Sequence, residues 1–124
     1  MILKNESRFL VIEEPEAHLY PTGQKAIVEL MGLALNATKS PILLTTHSPY
    51  ILTAFDNLIH AKEVSKLGNV DVATLAKEID IPQACWIDFE RVGVFYMADG
   101  KVEDIMDYER KAIGANKIDD ISEE

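Results

Sequence analysis

Phe9-Leu10-Val11-Ile12-Glu13-Glu14-Pro15-Glu16-Ala17-His18-Leu19-Tyr20-Pro21 is the stretch on which the reading of this chain turns. Its unbroken apolar start suits a strand buried on both faces of a parallel sheet, and carboxylates follow at once. A second apolar run, Ile42-Leu43-Leu44-Thr45-Thr46, leads in the same way into His47-Ser48-Pro49. Between them Ala26, Ile27, Leu30, Met31, Ala34 and Leu35 recur at helical spacing, with Thr22 as a candidate cap after Pro21 and Asn36 as a stop. Strand, helix, strand is a crossover unit. Ligands of open parallel sheets bind beyond the carboxyl ends of the strands, so both polar clusters converge on one edge.

Adjacent carboxylates at such an edge can divide labour. One faces a Mg²⁺ ion through its hydration shell, and the next orients or deprotonates a water. An imidazole beside them can hydrogen-bond a terminal phosphate. Taken alone, Glu13 and Glu14 would read as a solvated acidic turn and His47 as a capping residue, but their placement at two strand ends favours chemistry. His18 reads more readily as a structural loop residue than as a functional one, His60 as a helix-surface residue, and Trp86, Phe95 and Tyr96 as core.

The run from Phe9 to Pro21, followed by Thr46-His47-Ser48-Pro49-Tyr50, resembles the Walker B, D-loop and His-switch segments of ABC-type ATPases. It is nearer the RecF-like, structural-maintenance and OLD-type branch than the membrane transporters, whose versions read Asp-Glu-Pro-Thr before a Ser-Ala-Leu-Asp loop. The resemblance is good over residues 9 to 60 and thin beyond. It implies an α/β fold, a partial P-loop NTPase of ABC type in which parallel strands with crossover helices precede a C-terminal β-hairpin. It further implies ATP and Mg²⁺ as cofactors of the complete protein, with Glu13 in the metal position, where Asp is more usual. Glu14 takes the place of the catalytic carboxylate and His47 that of the γ-phosphate switch. Glu16, Ala17, His18, Leu19, Tyr20 and Pro21 match the loop that touches a second head when two heads sandwich ATP.

No Gly-x-x-x-x-Gly-Lys-[Ser/Thr] phosphate loop occurs among the 124 residues, and only eight precede Phe9, too few for the ABC signature. The sequence is therefore expected to be a piece of a longer one, or to have its N-terminal half supplied by another polypeptide. This chain alone is expected to be inactive and to bind no nucleotide. The expected partners are a second head, as a homodimer, or that missing half. The alternative is a non-catalytic module acting by association, with the Ile42 to Thr46 edge free to pair. A metal nuclease, as in some OLD-type relatives, ranks last because nothing after residue 60 reads as the clustered acidic motif on strands that such a site needs.

Downstream, Ser48 and Pro49 open a second helix that runs to about Ser65 with Leu52, Phe55, Leu58 and Ile59 on one face. Gly68-Asn69 breaks it, Asp71 to Ile79 reads as a shorter helix, and Asp99-Gly100 joins Arg91 to Met97 and Lys101 to Met106 as a hairpin. Residues 1–66 are read as the Walker B half of a head, and 67–124 as an extension packed on the same domain.

The formal charge of −9 opposes attraction to phosphate backbones, so this segment is expected to be a poor DNA-binding surface, and DNA is a possible partner of the complete protein only through other surfaces. A single cysteine, Cys85 beside Trp86, precludes an intrachain disulfide and reads as a buried thiol. The polar start Lys4-Asn5-Glu6 lacks a signal-peptide core, and no apolar run approaches the roughly 18 residues of a membrane span, which predicts a cytoplasmic protein. The tail from Asp119 to Glu124 is acidic and expected to fray.

Overall fold

The computed structural model describes residues 8–114 and 116–118. The expected frayed tail lies outside them. Strand β1 (Leu10–Glu13), helix α1 (Pro21–Thr38) and strand β2 (Ile42–Thr45) form the crossover unit, with β1 and β2 parallel. Helices α2 (Pro49–Ser65) and α3 (Val72–Ile79) follow, then antiparallel pairs β3 (Phe95–Ala98) with β4 (Lys101–Asp104) and β5 (Met106–Asp107) with β6 (Ala112–Ile113). The last pair was not read from the sequence, because two-residue strands carry no periodicity.

Helix α1 starts earlier and ends later than expected. Tyr20 takes the N-cap position without a side-chain bond, and Pro21 rather than Thr22 opens the helix, its fixed φ suiting the first turn. At the other end Asn36 stays helical because its amide donates to the carbonyls of Ala84 (2.9 Å) and Trp86 (2.7 Å). Lys39 at φ 56° makes the stop. The core face is also rotated from the one expected. Gln24, Val28 and Met31 are buried, while Ala26 and Leu30 are exposed.

Helix α2 is capped by Ser48, whose Oγ accepts from Ile51 N, and runs to Ser65 as expected. It buries Ile51, Leu58 and Ile59. Val28, Ile51 and Leu58 share one core cluster with Ile81, Cys85, Trp86 and Ile87, which is how the chain beyond residue 66 contributes to the same interior. A second cluster joins Ile59 to Phe89, Ile105, Met106 and Ile113. Burial pushes the Cys85 thiol up, with the negative charge of Glu29 adding to it, so it stays a neutral packing group.

Where α1 meets this core, it does so at Gly32. A Cβ there would stand 2.4 Å from the Cys85 carbonyl oxygen and 3.0 Å from Leu58 Cδ1. Gly32→Ala gains about 1 kcal/mol of helix propensity, but overpacking against fixed backbone costs about 1–3 kcal/mol or more. Net destabilisation is expected, read as a lower urea midpoint at unchanged slope.

Two expectations about burial fail. The β1–β2 sheet is covered on one face only: Ile12, Ile42 and Leu44 are half-buried, whereas Val11 and Leu43 are each 51% exposed. Val11 and Leu43 are in register, so both point to the face that no described residue covers. Phe95 is likewise exposed rather than core, because the β3–β4 hairpin turns one face outward, while Trp86 is buried and Tyr96 partly so. The hairpin itself has the expected two-residue turn, with Asp99 at φ 52° and Gly100 at φ 72°. It begins later than Arg91 because Phe89–Arg91 forms a 3₁₀ turn.

Candidate functional site

Both parallel strands stop at the same level, with Glu13 opposite Thr45. The ladder continues one step further, as Glu14 N donates to Thr45 O at 2.8 Å. Glu14 then turns to φ 44°, a left-handed conformation that costs a non-glycine residue about 1–3 kcal/mol and clusters at functional sites. From there its Oε1 lies 3.1 Å from His47 Nε2. The imidazole is 89% exposed and the carboxylate 54%, so an incoming group can reach both.

The loop that follows is tight. Ala17 N donates to Glu14 O (3.1 Å), Leu19 N donates to Glu16 O (2.9 Å), and His18 takes a second left-handed φ of 65°. Pro15 and Glu16 are half-buried, whereas Ala17, His18, Leu19 and Tyr20 face solvent, Tyr20 at 84%.

Glu16 turns inward. Its Oε1 accepts from Thr46 Oγ1 (2.8 Å) and from His47 N (2.9 Å). Burial alone would raise its carboxyl, but the backbone N–H groups of His47 and Glu16, the Thr46 hydroxyl and the His47 charge outweigh it and hold the group below the usual range. A parallel link runs through the first turn of α1: Ser48 Oγ donates to Gln24 Oε1 (2.6 Å), and Gln24 Nε2 donates to Leu19 O (3.1 Å). The role of Gln24 was missed in the sequence. The available signal was a polar side chain in helical line with Val28, Met31 and Leu35.

The structure thus brings Glu14, Glu16 and His47 together at one sheet edge. Glu13 lies beside them on the uncovered face, opposite Thr45 and in line with Val11. Among the described residues no group of three His, Cys, Asp or Glu side chains could hold a metal ion.

Residues 3–52 match the family model for an AAA ATPase domain. The matched stretch contains β1 with Glu13 at its end, α1, β2 and the loops bearing Glu14, Glu16 and His47, and it supports an ATPase-type domain here. Such ATPases use ATP and Mg²⁺. No curated protein and no solved structure matches the chain. Among the described residues no helix is long and apolar enough to cross a membrane.

Proposed function

We propose that residues 1–66 are the hydrolytic half of an ATP site in an ABC-type head, of the RecF, structural-maintenance and OLD-like branch. The supporting observation is the Glu14–His47 contact at 3.1 Å across the carboxyl ends of two parallel strands. In this reading Glu14 orients the attacking water and accepts its proton, and His47 donates to the γ-phosphate. Glu13 holds the Mg²⁺ position through water, and the bound metal would supply charge neutralisation on the phosphates. The exposed loop from Ala17 to Pro21 faces a second head. Phosphate binding itself belongs to a loop outside this sequence.

Isothermal titration of the 124-residue chain with Mg-ATP tests that division of labour. No measurable heat of binding is expected. Micromolar affinity would show that this chain grips the nucleotide unaided, and would overturn the assignment of the phosphate cradle to another segment.

A second reading, a non-catalytic association module, draws support from the sheet. Val11 and Leu43 form an apolar, uncovered face, and in this two-stranded sheet the outer edges of β1 and β2 pair with no other described strand. Such edges and faces invite another layer, from a second copy or from the missing half. Light scattering discriminates: self-association at rising concentration favours the second copy, and a clean monomer counts against it.

A further inference from the structure

We propose that Glu16 is a positioning residue that holds the backbone at His47, so that the imidazole stands over Glu14. The inference rests on the reading of His47 as the phosphate-contacting side chain. Strand β2 ends at Thr45, and beyond it the chain leaves the ladder with Glu14. The next residues are held by side chains. One carboxylate oxygen of Glu16 takes both the Thr46 hydroxyl and the His47 amide, 30 and 31 residues away in sequence. Thr46 Oγ1 is itself fixed, since it also accepts from Ser48 N at 3.0 Å. An ionised acceptor makes stronger hydrogen bonds than a neutral one, and this one holds the backbone of the second loop as well as a side chain. Gln24 bonds Leu19 and Ser48, a different pair from the Thr46 hydroxyl and His47 amide that Glu16 holds.

Glu16 sits in the loop whose exposed members face outward, yet its carboxylate faces its own chain. The second oxygen, Oε2, is buried and has no hydrogen-bond partner among the described residues. Glu16→Gln therefore keeps the accepting oxygen but buries an unpaired amide donor, and rescue by Gln is expected to be partial. Glu16→Ala removes both bonds.

The test is amide hydrogen exchange and imidazole ¹⁵N shifts of His47 in the intact chain, with the Trp86 indole N–H as a reporter of the fold. In Glu16→Ala the His47 amide is expected to exchange about tenfold faster or more, and the His47 ring shifts to move, while Trp86 keeps its protection. Glu16→Gln should fall between that variant and the parent. Unchanged exchange and ring shifts at His47 in a folded Glu16→Ala chain overturn the proposal, including the case where Glu16 serves only a contact with a second head. If Glu16→Ala does not fold, Thr46→Val and Thr46→Ser decide. Val removes the hydroxyl and should loosen His47, whereas Ser keeps it and should not; equal behaviour of the two overturns the proposal. None of these readouts involves nucleotide, so failure of the ATPase reading would leave them unchanged.

Discussion

On the proposed reading, Glu14→Gln in an active ATPase that carries this segment is expected to suppress turnover by about 10²–10⁴-fold while nucleotide binding persists. Gln has the same length and can occupy the same left-handed backbone position, so the strand end and its 2.8 Å bond to Thr45 O survive the change. What is lost is the basic oxygen. His47 Nε2 lies 3.1 Å from that oxygen, so the two side chains form one unit, and truncating both should cost less than the sum of the single losses. Steady-state hydrolysis alongside nucleotide affinity makes the check. Turnover equal to the parent's would remove Glu14 from the chemistry.

The largest expected loss of stability is at Trp86. The residue is 2% exposed, packed in the cluster with Val28, Ile51 and Leu58, and its Nε1 donates to Ile81 O at 3.1 Å. Trp86→Ala leaves a cavity and an unpaired carbonyl, which together cost about 3–5 kcal/mol. Domains of this kind hold only about 5–15 kcal/mol in total, so the variant approaches unfolding. Urea denaturation followed by far-ultraviolet circular dichroism measures the loss. Trp86→Phe, which refills much of the volume but drops the donor, should cost clearly less. A midpoint within error of the parent's for Trp86→Ala would show that this buried cluster does not carry the stability of the fold.

Much of this molecule is legible in its sequence. Four apolar residues before Glu13, a helical repeat and a second apolar run before His47 imply a crossover unit, because each pattern admits few alternatives at that length. Ser48-Pro49 and Asp99-Gly100 announced a helix start and a tight turn through local backbone chemistry, which needs no tertiary partner. Boundaries were less legible where a distant group intervenes. Asn36 would end a helix by propensity, yet it continues one because the carbonyls of Ala84 and Trp86 need its amide. The face of α1 was misjudged for a similar reason: the buried Gln24 satisfies Ser48 and Leu19, and a polar residue in a core line is discounted by any apolar pattern.

The sequence by itself therefore determined the order of elements from β1 to β4 and which polar residues follow the first two strands, since these depend on residue type and spacing. Only the tertiary structure decided three further matters. It brought the Glu14 carboxylate to the His47 ring, because parallel register, not sequence distance, sets which strand ends meet. It turned Glu16 inward, because a half-buried carboxylate is stabilised by the donors it meets at Thr46 and His47. And it left Val11 and Leu43 uncovered, because an apolar strand is buried only where another layer packs against it.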